Sequence, residues 1–238
     1  KSRIIAEEFA RSGVPRPLAG QGISMLVPTL LELGTPEQKE AYIERTLKGE
    51  LIWCQGYSEP GAGSDLAALR TRAVENGDDF VINGQKIWTS GAHYCDFGIL
   101  VVRTDPTVPK HKGLSYFYLD MKSPGIEIKP IRQISGDSNF NEVYFTDVRI
   151  PDSQRLGEVG QGWKVSITTL MNERASIGGG GGGVNFDSVF KLAQKVNIDG
   201  APAIENSAVR AKLADWYCQE SGLKFTGYRS MSALSRGD

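Results

Sequence analysis

The feature that most constrains this chain is a change of period. Between about Trp53 and Pro151 the apolar residues fall into short runs rich in β-branched and aromatic side chains, with no helix-period stretch among them. Gly98 to Arg103, Leu114 to Asp120, Ile126 to Pro130 and Glu142 to Val148 are such runs, and turn residues such as Ser123-Pro124-Gly125 separate them. Parallel neighbours need long crossovers, so six or so strands without intervening helices imply an antiparallel sandwich or barrel of about 100 residues. Phe80 to Trp88 reads as a hairpin, with Asn83-Gly84 at a type I′ turn.

On both sides the period is helical. Thr35-Pro36-Glu37-Gln38 combines a Thr cap, Pro at the first helical position and Gln for a capping box. Lys48-Gly49 supplies the matching stop, and Ile23 to Leu33 predicts a buried helix before it. After Gly160-Gln161-Gly162, the residues Trp163, Ile167, Leu170 and Met171 recur at helical spacing and predict one packed apolar face. Glu173 would then point away from Met171, across the helix. A second helix is expected from Asn206-Ser207, with Val209, Leu213, Trp216 and Leu223 in one stripe, and the six glycines 178–183 break the chain between the two. The expectation is an α+β multidomain protein. A partial helical domain over 1–52 precedes an antiparallel β-barrel-like domain over 53–152, and a partial helical domain over 153–238 follows. Both ends read as interior to a longer protein, since the first residue is Lys1 and no signal-peptide pattern follows it.

Lys and Arg total 27 against 28 Asp and Glu, which excludes the basic excess of a nucleic-acid surface. No apolar run is long enough to span a bilayer. Cys54, Cys95 and Cys218 form no C-x-x-C pair, and His93 and His111 are the only histidines. Neither a metal centre nor a disulfide framework is expected, and a reducing compartment fits.

The strongest chemical feature is the run Trp53-Cys54-Gln55-Gly56-Tyr57-Ser58-Glu59-Pro60-Gly61-Ala62-Gly63-Ser64-Asp65. It reads as a strand entering a glycine loop, where missing Cβ atoms let backbone N–H groups approach a phosphate or a ring edge. A third glycine is lacking, so it is no Rossmann fingerprint. About 25 residues later comes Asn83-Gly84-Gln85-Lys86-Ile87-Trp88-Thr89-Ser90-Gly91.

Together the two runs resemble the signature stretches of the acyl-CoA dehydrogenase family, a TEPGAGSD-type loop followed by NGxKxWITN. The resemblance continues through Lys112-Gly113-Leu114-Ser115, Asn141-Glu142-Val143-Tyr144-Phe145, Val148-Arg149-Ile150-Pro151 and Gly157-Glu158-Val159-Gly160-Gln161-Gly162-Trp163, and covers most of residues 28–177. It implies FAD-dependent α,β-desaturation of an acyl-CoA. Gln55, Tyr57, Ser58, Gly63, Ser64, Trp88, Thr89 and Ser90 would contact FAD, with Trp88 against the ring and Thr89 and Ser90 beside its reactive edge. Ser64 and Arg174 would meet the substrate. Glu173 matches the catalytic base of one family branch, whereas in the other branch the base lies in a later segment.

The resemblance further implies an electron-transfer flavoprotein or similar acceptor, a homo- or hetero-oligomer (dimer or tetramer), and a bacterial cytoplasmic or mitochondrial matrix location. One departure stands out. The family's Arg-Lys-Thr-Phe-Gly stretch, whose arginine reaches a neighbour's FAD diphosphate, would fall near Lys195 to Asp199 and is absent there. A non-catalytic or FAD-sharing partner subunit is therefore a second expectation. The glycine run, near the expected acyl pocket, points to room for a bulky acyl group such as a steroid side chain.

Overall fold

A computed structural model describes residues 2–13, 20–177 and 184–236, so the glycine run lies outside the described residues. The chain divides into two compact units, residues 1–174 and 175–238.

The first unit opens with helix α1 (Ser2–Ser12), then a π-helical turn (Gly22–Leu26) running directly into α2 (Val27–Leu33) and α3 (Pro36–Leu47). The expected capping box is present. Gln38 N–H donates to Thr35 Oγ1 at 3.3 Å, and Thr35 N–H donates to Gln38 Oε1 at 3.1 Å. Gly49 ends α3 at φ 74°, which glycine adopts without cost.

Eight strands follow: β1 (Trp53–Gly56), β2 (Arg72–Asn76), β3 (Asp79–Lys86), β4 (Phe97–Arg103), β5 (Leu114–Asp120), β6 (Ile126–Ile131), β7 (Phe140–Pro151) and β8 (Arg155–Leu156). They form one sheet in the order β6-β7-β3-β2-β4-β5-β8, with β1 also on β4. Pairing is antiparallel as expected, except that β1 and β2 each run parallel to β4. Strands β4 and β5 are buried on both faces. Ile99, Val101, Tyr116 and Tyr118 pack with Leu26, Leu30, Trp53 and Val165, while Leu100, Val102, Phe117 and Leu119 pack with Phe80, Ile82, Val143 and Val148. Two-sided burial is why these strands read as unbroken apolar runs rather than alternating ones.

The hairpin expected at Asn83-Gly84 is not there. Strand β3 runs straight through it, and the turn lies at Gly77-Asp78, between Asn76 and its partner Asp79. At Asn83 the β3–β7 register shifts, so that Thr146 and Asp147 together oppose Asn83. The Asn83 side chain donates to Asp147 Oδ1 and accepts from Asp147 N–H, both at 3.0 Å, and Asp147 sits at φ 50°. Asn-Gly here marks a β-bulge, because its left-handed tolerance and side-chain bonding serve a bulge as well as a turn. Gly125, at φ 91°, turns β6 into the sheet, and an added Cβ would overlap the Thr146 carbonyl oxygen. Gly125→Ala is expected to cost at least about 1–3 kcal/mol, read as a lower denaturant midpoint at unchanged slope.

Helix α4 (Gly162–Ile177) keeps half of the expected apolar face, with Trp163 and Leu170 packed against the core, and corrects the rest. Its inward residues are Gly162, Val165, Ser166 and Thr169, whereas Ile167 is 41% and Met171 48% exposed. The hydroxyls can face inward because each returns its proton to the preceding turn: Ser166 Oγ to Gly162 O at 2.7 Å, Thr169 Oγ1 to Val165 O at 3.1 Å. Glu173 lies four residues after Thr169 and so continues this inward face instead of opposing it.

The second unit contains α5 (Phe186–Lys195), a short hairpin of β9 (Asn197–Ile198) with β10 (Ala201–Pro202), and α6 (Ser207–Arg236). Lys195 to Asp199, where the family arginine was expected, closes α5 and enters that hairpin, turned by Asp199 at φ 53° and Gly200 at φ 84°. Asn206 caps α6 by accepting from Ala208 N–H and Val209 N–H. Leu213 of the predicted stripe is buried with Val209 against it, but Leu223 is 77% exposed. Among the described residues no helix is long and apolar enough to cross a membrane, and no His/Cys/Asp/Glu group could hold a metal ion.

Candidate active site

The two signature runs meet through an ion pair that the sequence reading passed over. Lys86, at the end of β3 and fully buried, donates to Glu59 Oε1 at 2.8 Å and to Tyr57 O at 3.0 Å. Glu59 also accepts from Thr71 N–H at 2.9 Å and Arg70 N–H at 2.6 Å, so four hydrogen bonds from three donor groups hold the glycine loop in place. Burial pushes the Glu59 carboxyl upward, but the Lys86 ammonium and these donors outweigh it and hold the carboxyl below its ordinary range. Burial brings Lys86 down to about 8 against the opposing pull of Glu59. Glu59 and Ala62 bond to each other through both backbone groups, closing the loop around Pro60-Gly61.

Ile87 N–H donates to Ser58 O at 2.9 Å, which places Trp88 one residue from the loop. Trp88 has φ 60°, a conformation non-glycine residues seldom adopt, and its indole is 57% exposed, edge-on to Phe140 at 6.0 Å. Thr89 next to it is buried, and its hydroxyl has no hydrogen-bond partner. Ser90 lines a recess of about 400 Å³ together with Gly20, Gly22, Ile23, Trp53 and Cys95.

The third element is α4. Gln55 Nε2, on β1, donates to Glu173 Oε2 at 3.4 Å, and Glu173 is half-buried. Arg174 is exposed and donates to Met171 Sδ at 3.5 Å. Beneath Glu173 lies a cluster of hydroxyls: Thr169 Oγ1 is 3.1 Å from Thr29 Oγ1 and 3.2 Å from the Tyr116 hydroxyl. Burial pushes the Tyr57 phenol well up, and its hydroxyl makes no hydrogen bond, although Tyr116, Thr169 and Ser166 surround it.

The structure thus joins Gln55 to Glu173, and Ser58 to the start of the Trp88–Ser90 turn. Gly63 and Ser64 lie exposed at the loop's far end, beside an Asp65–Lys110 ion pair of 2.7 Å. Tyr57 turns its side chain inward, against Tyr116 at 6.2 Å, and Thr89 is likewise buried. Glu59 and Lys86 were missed although both stand inside the quoted motifs.

Residues 54–148 match the model of the acyl-CoA dehydrogenase middle domain, and residues 160–238 that of the acyl-CoA dehydrogenase C-terminal domain. The acyl-CoA dehydrogenase FadE34 of Mycobacterium tuberculosis is 47% identical over 197 residues, which is 82% of this chain and 28% of that protein. A solved Tcur3481–Tcur3483 steroid acyl-CoA dehydrogenase superposes with a TM-score of 0.82 at 36% identity, over 97% of this chain and 59% of that one. The ChsE4–ChsE5 complex from Mycobacterium tuberculosis gives 0.81 at 34% identity, over 98% and 60%. The chain therefore spans between 28% and 60% of the length of these proteins. By sequence and by fold, the chain belongs to the acyl-CoA dehydrogenase family.

Proposed function

We propose that this chain supplies the flavin-contacting wall and the catalytic base of an FAD-dependent enzyme that places an α,β double bond in an acyl-CoA thioester. The observation carrying most of this reading is the contact between Gln55 and Glu173, which brings the first signature strand to the one candidate base on α4. A flat, half-exposed indole suits a flavin ring, and space is open where a Cβ would stand at Gly61 and Gly63, so the residues present fit FAD. Gln55, Ser58, Gly63, Ser64, Trp88, Thr89 and Ser90 would hold it, Tyr57 through its backbone. FAD, when bound, supplies the acceptor for the hydrogen and electron pair that leave the β carbon.

The chain's own task is the proton. The thioester carbonyl makes the α hydrogen weakly acidic, and Glu173 takes it, while the Gln55 amide donates to the carboxylate and orients it. Arg174, exposed beside it, would meet the substrate's polar portion, and Ser64 the CoA. The recess at Ser90 has the size of a small-molecule pocket, about 300–1,000 Å³, and offers room for a bulky acyl chain. The steroid substrate named for one solved relative supports that choice. Reoxidation would fall to an electron-transfer flavoprotein or similar acceptor.

A second reading is an FAD-sharing subunit of a hetero-oligomer. The hairpin at Lys195–Asp199 in place of the family arginine favours it, as does the two-component make-up of the ChsE4–ChsE5 complex. The visible spectrum of the purified protein separates the two. Oxidised-flavin bands surviving gel filtration support the first reading. A colourless protein that turns yellow only with a second chain supports the other, and no flavin under either condition overturns both. In protein that retains FAD, Trp88→Ala is expected to weaken its binding about tenfold or more, measured by titrating apoprotein, because a stacked aromatic contributes about 0.5–1.5 kcal/mol beyond its buried area.

A further inference from the structure

Trp88 holds a left-handed backbone conformation at φ 60° while exposing most of its ring, an arrangement an aromatic residue keeps only when its surroundings over-determine it. The surroundings are the first residues of β7. Thr89 N–H donates to Asn141 O at 3.0 Å, and Asn141 N–H donates to Thr89 O at 3.1 Å. The Asn141 side chain adds a second donor to the same carbonyl, Nδ2 to Thr89 O at 2.9 Å. Gly91 N–H donates to Asn139 O at 2.8 Å, and Phe140 between them meets the Trp88 ring. Asn141 is fully buried, so its amide cannot exchange these bonds for water.

The amide has one orientation. Thr89 O can only accept, so Nδ2 faces it and Oδ1 faces the other way, toward His93 Nδ1 at 3.1 Å. That nitrogen must therefore carry a proton and donate. His93 is itself an exposed residue on the far side of the turn, followed by Tyr94, whose ring meets its own at 4.9 Å.

We infer that Asn141 is a positioning residue, oriented by His93, whose second donor to Thr89 O locks the Trp88–Ser90 turn with the indole presented outward. Its hold on the turn stands on the geometry alone; only its consequence for FAD rests on the functional reading above. A Ser or Ala at this position would keep the two strand-type backbone bonds but lose the lock. The exposed Trp88 face would then sample other backbone states, and a ligand stacking on it would bind more weakly.

Two measurements on the purified protein test this. Local hydrogen exchange, followed by mass spectrometry of apoprotein, is the readout that needs no cofactor. Asn141→Ala is expected to speed exchange across residues 88–91 roughly tenfold or more, with residues 97–103 and 114–120 unchanged. FAD titration of the same apoprotein is expected to show roughly tenfold weaker binding, the loss of about one buried hydrogen bond. His93→Ala, at an exposed site where folding is not at issue, should shift both in the same direction by a smaller factor, and His93→Gln, which can still donate to Oδ1, should restore them. Unchanged exchange at 88–91 in Asn141→Ala, or a rise spread equally over the whole sheet, overturns the inference. Should the parent protein bind no FAD, the functional reading falls while the exchange result still decides the role of Asn141.

Discussion

Glu173→Gln is expected to lower turnover of acyl-CoA by about 10²–10⁴-fold, the usual contribution of a positioned general base, while FAD content stays nearly unchanged. Glutamine keeps the shape of the side chain and its ability to pair with Gln55, but it cannot accept the α proton. Glu173 sits on the inward side of α4, in line with Ser166 and Thr169, and not on the exposed side with Ile167 and Met171. Because the loss is confined to proton abstraction, it should appear in the single-turnover rate of flavin reduction as well as in kcat. Wild-type turnover in the variant would move the base to a segment outside this chain's span or to a partner subunit.

The largest expected effect on stability belongs to the Glu59–Lys86 pair. Removing one member of a buried ion pair leaves an uncompensated charge, so Lys86→Ala should cost about 3–5 kcal/mol. Replacing both, as in Glu59→Gln with Lys86→Met, should recover much of that loss, since no buried charge then remains. Equilibrium denaturation of the two variants and the parent checks this. The pH dependence follows from the shifts. Glu59 is held below its ordinary 4.5 in the folded state, so its contribution is present above that value and is lost as pH falls through the lower, folded value. Lys86, also lowered on folding, gives a slope of the same sign at higher pH. Folded protein releases its proton near 8 and unfolded chain near 10.5, so the cost of burying this charge is relieved between those values. Acid denaturation of Glu59→Gln/Lys86→Met should accordingly be shallower than that of the parent.

The same pair shows what the sequence could and could not disclose. Strands β4 and β5 were legible because burial on both faces concentrates apolar and aromatic side chains in them, Ile99 to Val102 and Tyr116 to Leu119. The α3 cap was legible because its bonds are local: Thr35 and Gln38 lie three residues apart. Asn83-Gly84 misled because the same backbone freedom serves a bulge and a turn, and only the long-range β3–β7 register distinguishes them. The inward face of α4 was only half legible: Trp163 and Leu170 do pack inward, but Ser166 and Thr169 bury hydroxyls satisfied within the helix, which hydropathy scores as polar. Within the site, Trp88, Ser58 and Glu173 were reachable through the motifs that contain them. The role of Asn141 was not, because it depends on a contact 52 residues away with Thr89.

Anaerobic mixing of the flavin-loaded protein with a panel of acyl-CoA thioesters tests the central claim most directly. The account predicts that at least one acyl-CoA, with bulky side chains favoured, bleaches the oxidised-flavin band within a single turnover. It also predicts that Glu173→Gln, carrying the same flavin, fails to bleach on that timescale. A loaded protein whose flavin stays oxidised with every thioester, under conditions where dithionite reduces it, would contradict the assignment.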